Sequence, residues 1–209
     1  AHSMGGLVLK KYVQEHPSDH HVGKVVFVGV PNLGSTKAYK VLMIGDGFGI
    51  TGLNDEEIKK IGQNMPAIYD LSPSQSYNNQ IGTTLEIVDH SILQGQERIK
   101  KLDFNQAQEY LKNNYQANSQ GFLNANNTQT VDFENLNLNG LGIDTYNIVG
   151  CKIWTLNKMR EVNYMGRKSY YGEGLNGDGT VPVASSGSIN APDDKTFYAE
   201  EKDHSKMLS

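Results

Sequence analysis

Cysteine is nearly absent: Cys151 is the single one among 209 residues. No intrachain disulfide can form, and zinc ribbons or knuckles built on paired cysteines are excluded. Long apolar runs are missing too. The longest, Val25 to Val30, has the length of a strand, far short of the roughly 18 residues a membrane-spanning helix needs. Positive charge is not in excess, with Lys+Arg at 19 against Asp+Glu at 23 and a net charge of −4. No basic face is evident, which argues against nucleic acid as the main partner. Hydrophobic residues make up 37% and mean hydropathy is −0.51, the polar side of globular composition. No repeat recurs at a fixed period. The length suits one ordinary domain, or a domain with a large insertion. The sequence opens at Ala1 rather than Met and carries site-like residues at both ends. It therefore reads as an internal piece of a longer protein, which leaves localisation open.

Residues 5–16 read as a helix: Val8 with Tyr12, and Leu9 with Val13, fall four apart on one side, and Pro17 ends the run. Lys24 to Val30 is nearly continuous in β-branched and aromatic residues, the pattern of a strand covered on both faces in a parallel sheet. Helix followed by buried strand is half of an α/β layer unit. Asn54 with Glu57, and Asp103 with Gln106, have the spacing of capping boxes and predict helix starts. Residues 113–139 are dense in Asn and Gln and read as irregular surface structure or a partly disordered stretch. A second strand is expected over Tyr146–Trp154, a Gly- and Tyr-rich loop after it, and a last strand at Thr196–Ala199. This divides the chain into core at 1–40, an insertion at 41–144, too long for a simple crossover, and core again at 145–209.

The strongest chemical signal is Ala1-His2-Ser3-Met4-Gly5-Gly6. It has the small-x-Ser-x-Gly form of a nucleophile elbow, in which the serine sits on a strained strand-to-helix turn. The residues two before and two after are small because strand and helix approach closely. The Met4 N–H, at the helix start, is placed to help hold an oxyanion. The competing reading is an ordinary Ser-Gly turn. A serine needs a base and the base an orienting carboxylate, in the chain order Ser, acid, His. His2 lies inside the elbow and points away from the serine oxygen; His16, His20 and His21 precede the next strand; His90 lies in the insertion. His204 alone follows the last strand, and its competing reading is an exposed terminal histidine. Asp178 is the preferred acid: it stands in a Gly-Asp-Gly turn 26 residues before His204, and its bland alternative is a simple turn residue. Asp144, Asp193, Asp194 and Asp203 are weaker choices. Gly29 to Thr36 has the glycine spacing of a phosphate loop, with Ser35 where the lysine would stand. Ser18-Asp19-His20-His21 fits a solvated loop better than a metal site.

The elbow AHSMGG, the strand and turn VVFVGVPNLGST, the segment NMPAIYDLSP (Asn64 to Pro73), the turn GDGTVPVAS and the terminal DHSKML together resemble the lecithin:cholesterol acyltransferase-like family of α/β-hydrolases. The likeness is weakest between Leu85 and Asn139. It implies the C-terminal half of an α/β-hydrolase fold, a parallel sheet flanked by helices, with a large lid insertion. It further implies acyl-ester chemistry on lipids, by a lipase, phospholipase or O-acyltransferase, with Ser3 as nucleophile, Asp178 as acid and His204 as base. No cofactor and no metal are expected. The expected partner is a lipid or other acyl ester, with peripheral membrane or lipid-interface contact left open, and no nucleic acid. Met43, Ile44, Phe48 and Ile50 are the candidates for substrate contact in the lid; the alternative is that they form its core. The reading from another class is a noncatalytic lipid- or cell-surface-binding module that keeps the fold.

Overall fold

The computed structural model describes residues 1–46, 54–90 and 98–209. In chain order the helices and strands are α1 (Met4–Glu15), β1 (Lys24–Val28), α2 (Lys37–Ile44), α3 (Asp55–Asn64), α4 (Pro66–Asp70), α5 (Gln75–Ile81), β2 (Leu85–Asp89), β3 (Arg98–Leu102), α6 (Phe104–Tyr115), α7 (Ser119–Thr128), α8 (Val131–Glu134), β4 (Asp144–Cys151), β5 (Ile153–Tyr164), β6 (Arg167–Gly177), α9 (Val183–Ser186) and β7 (Thr196–Glu200). Short 3-10 turns lie at Asn139–Leu141, Asp193–Lys195 and His204–Lys206.

Among the described residues the strands form two sheets. The first is wholly parallel, in the order β1-β4-β7. Its outer edge at β1 is extended by the chain start: Val28 N–H donates to the Ala1 carbonyl at 2.9 Å and Ser3 N–H to the Val28 carbonyl at 3.0 Å. Parallel neighbours need long connections, and the stretch between Val28 and Asp144 supplies the first. Helix α1 packs Leu7 and Val13 against Val25, Phe27 and Val30, with Phe133, Leu138 and Ile143 closing this core. Coverage of β1 on both faces holds only for its C-terminal end. Val26 is 38% exposed, because it lines an open cleft with Val8, Tyr12 and Val22.

The second sheet has the order β3-β2-β5-β6, with β2 and β5 parallel and the outer pairs antiparallel. It draws on residues from both sides of Asp144. Its core face meets α2, α6 and α7 in a cluster that includes Tyr39, Leu42, Tyr69, Leu85, Leu111, Phe122 and Met159.

Two expectations are corrected here. The Gly- and Tyr-rich stretch after Trp154 is a long hairpin, not a loop. Its turn is Met165-Gly166, with φ of 49° and 81°, the two positive angles a two-residue hairpin turn requires. A Cβ at Gly172 would stand 2.6 Å from Leu156 Cδ1, so that glycine leaves room for a side chain crossing from β5 and is no sign of irregularity. The Asn-rich segment is also ordered: it forms α7 and α8. Asn118 caps α7 by accepting from the N–H groups of Gln120 and Gly121, and Thr130 caps α8. Phe122, Ala125 and Phe133 fill the buried apolar positions, and Glu134 is buried beside them. Asparagine was placed there as a helix cap, a role it takes readily. The capping boxes at Asn54/Glu57 and Asp103/Gln106 form as the spacing predicts.

Candidate active site

Ser3 occupies the turn between the chain start and α1 with φ 54° and ψ −136°. A non-glycine residue held there costs on the order of 1–3 kcal/mol and persists only when its surroundings fix it. The fixing contacts are the bond from Ser3 N–H to Val28 and the one from Gly6 N–H to the Ser3 carbonyl at 2.9 Å. The close approach of helix and strand falls at Gly6, where a Cβ would stand 2.6 Å from Val30 Cγ1; Gly5 has open space. The need for a small residue therefore lies one position later than the motif alone implies. Met4 is the first residue of α1, so its N–H has no carbonyl one turn back and is free to face a ligand.

The other two residues arrive from the far end of the chain. Asp178 follows β6 and is fully buried. Its Oδ1 accepts from Thr180 N–H at 2.9 Å and Val181 N–H at 2.7 Å. Its Oδ2 lies 2.8 Å from His204 Nδ1, and His204 Nε2 lies 2.9 Å from Ser3 Oγ. The three side chains form one hydrogen-bonded line. His204 N–H also donates to the Asp178 carbonyl at 2.8 Å. Two glycines make the floor beneath the pair. A Cβ at Gly29, where φ is +54°, would stand 3.0 Å from Asp178 Oδ2; one at Gly150 would stand 2.5 Å from Asp178 Cβ.

The remaining candidates are placed elsewhere. Asp144 pairs with Lys24 and Lys195, Asp193 and Asp194 sit in a 3-10 turn, and Asp203 caps the turn that carries His204. His16 lies against Tyr12 and Asp19. His20 accepts from Val22 N–H through Nδ1 and bonds the Leu141 carbonyl through Nε2. His90 meets the Tyr164 ring.

The phosphate-loop lookalike turns out to organise the site. Ser35 Oγ–H donates to the Thr180 carbonyl at 2.6 Å, and Leu33 N–H to Ser185 Oγ at 3.0 Å, which ties this loop to the acid turn. Ser35 N–H donates to the Leu71 carbonyl and Ser74 N–H to the Leu33 carbonyl; a Cβ on Gly34 would strike the Ser72 carbonyl. Asn32 receives the ammonium of Lys10 and donates to Ser188 Oγ and the Glu134 carbonyl. Burial lowers the Lys10 pKa to about 7, with the Glu134 charge opposing. Sequence reasoning gave Asn32 and Ser35 no part in the site. The available signal was two uncharged turns, each at a Pro: Pro31-Asn32-Leu33-Gly34-Ser35 and Leu71-Ser72-Pro73-Ser74.

A cavity of about 110 Å³ opens at Ser3 between Pro31, Ala38, Val41, Ile68, Leu71 and Val181. A second, of about 260 Å³, shares Lys37 with it and runs past Ile44, Leu156 and Trp154. Of the lid candidates, Met43 is buried in the cluster under α2. It lies on the same side of α2 as Tyr39 and Leu42, the side the second sheet covers. Ile44 is half-buried against that cluster and also lines the larger cavity. Phe48 and Ile50 lie outside the described residues.

A model of the lecithin:cholesterol acyltransferase family matches residues 1–146, a span that holds Ser3 and ends before Asp178 and His204. No curated protein sequence matches the chain. A solved structure described as the Tle4–Tli4 complex superposes with a TM-score of 0.61 at 18% identity, over 98% of this chain and 53% of that one. The likeness is one of fold, an α/β architecture with a parallel sheet flanked by helices, and this chain spans about half the length of that chain.

Proposed function

The chain belongs to the lecithin:cholesterol acyltransferase family, and we propose that it carries out acyl-ester chemistry on lipids through an acyl-enzyme at Ser3. The observation that supports this most is the line from Ser3 Oγ through the His204 ring to Asp178. A carboxylate only accepts, so Nδ1 of His204 carries the hydrogen and Nε2 faces the Ser3 hydroxyl as an acceptor. As Ser3 Oγ bonds to the ester carbonyl carbon, its proton passes to Nε2. The carbonyl oxygen becomes an oxyanion, and the Met4 N–H donates to it. The bond to the alcohol oxygen then breaks, and the leaving oxygen takes the proton from Nε2. The acyl group is left as an ester on Ser3. Water or a second hydroxyl attacks that ester as its proton passes to Nε2; the acyl–Oγ bond then breaks, Ser3 Oγ takes the proton back from Nε2, and the acid or a new ester is released. Hydrolysis and transfer share every step but the identity of this last nucleophile.

The apolar cavity at Ser3 is assigned to the acyl chain. Residues 41–144 are assigned to a cap that shares its sheet with the β5–β6 hairpin of the 145–209 segment, set against the core of 1–40 and the rest of 145–209, with the substrate arriving from a lipid interface. The scheme closes on protein groups and water. Turnover of a fatty-acyl p-nitrophenyl ester tests it. Hydrolysis should fall to background in Ser3→Ala, and the acyl group should be found by mass spectrometry on the peptide that bears Ser3. Full hydrolysis by Ser3→Ala would remove the nucleophile from the scheme. A folded, inert protein that still binds lipid would favour the noncatalytic module.

A further inference from the structure

His2 directly precedes Ser3, and its ring is not part of the hydrogen-bonded line from Ser3 through His204 to Asp178. It makes a different contact. Its Nε2 lies 3.0 Å from the carbonyl oxygen of His204, and the two rings are 4.7 Å apart, inclined at 35°. A carbonyl only accepts, so the Nε2–H of His2 donates. The segment it reaches is lightly held. Lys202, Asp203, Ser205 and Lys206 are exposed, and His204 sits in a three-residue 3-10 turn. Two bonds grip the His204 backbone from opposite sides: its N–H donates to the Asp178 carbonyl and its carbonyl receives His2. The first joins base to acid; the second joins base to elbow.

Building on the catalytic reading of Ser3, we propose that His2 is a positioning residue that sets the His204 ring against Ser3 through its hydrogen bond to the His204 carbonyl. The geometry makes this consequential. The Nε2–Oγ contact of 2.9 Å depends on where the turn sits, and the turn has no regular ladder on its outer side to hold it. A shift of the His204 backbone moves the ring tip by at least as much, and proton transfer is sensitive to small errors of placement.

Three variants separate the hydrogen bond from mere packing. His2→Phe keeps the ring contact and removes the donor. His2→Gln replaces the donor with an amide N–H. His2→Ala removes both. The rate of Ser3 labelling by a fluorophosphonate is measured for each beside its Tm, and the Nδ1–H proton of His204 is followed by NMR in samples without the probe. We expect His2→Phe and His2→Ala to label roughly 3- to 10-fold more slowly, the range of one net hydrogen bond. His2→Gln should return to within about 2-fold of the parent, since its amide N–H restores the bond. The His204 proton signal should broaden or shift in His2→Phe and be kept in His2→Gln. Parental labelling and an unchanged signal in His2→Phe would overturn the proposal. So would equal slowing in His2→Gln and His2→Phe at equal Tm. If the parent itself does not label, the catalytic reading of Ser3 fails, and the NMR signals still decide whether His2 holds His204.

Discussion

Gly150→Ala adds one methyl group at the centre of the parallel sheet. Gly150 lies on β4, and the new Cβ would stand 2.5 Å from Asp178 Cβ, 3.0 Å from Met207 Sδ and 3.3 Å from Asp178 Oδ2. Carbon atoms in contact prefer about 3.5–4.0 Å, so Asp178 must withdraw by roughly 1 Å. Met207 can swing aside because its sulfur is near the end of a flexible chain. Asp178 Cβ cannot, since it moves only with its backbone, and its Oδ1 is pinned by Thr180 and Val181. Overpacking of this kind costs about 1–3 kcal/mol. Replacing glycine by alanine within a strand returns about 0.5–1 kcal/mol of that. The net loss, of order 1–2 kcal/mol, should lower Tm by about 3–6 °C for a chain of this size. Reactivity should fall further than stability. An error of about 1 Å in a catalytic group can cost on the order of 100-fold, so Ser3 labelling should slow by about 10- to 100-fold. Gly23→Ala, which meets nothing within 4 Å, serves as the control and should leave both readouts near the parent. If Gly150→Ala melts and labels like the parent, Asp178 does not set the reactivity of Ser3 in the way its contacts imply.

Two further perturbations test the energetics around the site. Lys10 has its folded pKa lowered to about 7 by burial, so between that value and its unfolded value of 10.5 the unfolded chain binds the extra proton. Stability from this group therefore rises with pH across that window, by up to about 1.4 kcal/mol per pH unit, and is lost as pH falls toward the folded value. Lys10→Met should flatten that rise in denaturant titrations at successive pH values; an unchanged slope would contradict the burial argument. Met165 holds φ 49° in the hairpin turn before Gly166, where Asn is better tolerated than Met. Met165→Asn should raise stability by about 0.5–1 kcal/mol, read as a small increase in Tm, and a decrease would argue against this turn type.

The arrangement of the candidate site was more legible than the fold that carries it. Ser3, Asp178 and His204 were readable because each stands in a turn with its own chemical signature, and chain order arranges the three. β1, β4, β7, α3 and α6 were readable from apolar runs and capping boxes. The hairpin β5–β6 was not, because Gly172 answers a side chain on a partner strand and no local pattern records that partner. α7 and α8 were hidden by composition: the Asn residues that suggested irregularity stand at caps and on exposed faces, while three buried apolar positions hold the helices. The burial of Met43 was likewise not legible, since apolarity alone does not say which cluster a residue joins. The loop Val30 to Ser35 was legible as a motif but not in its role. Its backbone bonds to Leu71 and Ser74 join two segments that the sequence keeps apart.

The central claim, a serine nucleophile activated by His204 and Asp178, is tested most directly by covalent labelling. The folded protein is treated with a fluorophosphonate and the adduct is mapped by peptide mass spectrometry. The account predicts one adduct, on Ser3, abolished in Ser3→Ala and nearly abolished in His204→Ala, because an unassisted serine hydroxyl is a weak nucleophile at neutral pH. Asp178→Asn should label far more slowly, since the amide can hold the histidine in the wrong tautomer. No adduct on the folded protein, or an adduct on Ser3 that forms as fast without His204, would contradict it.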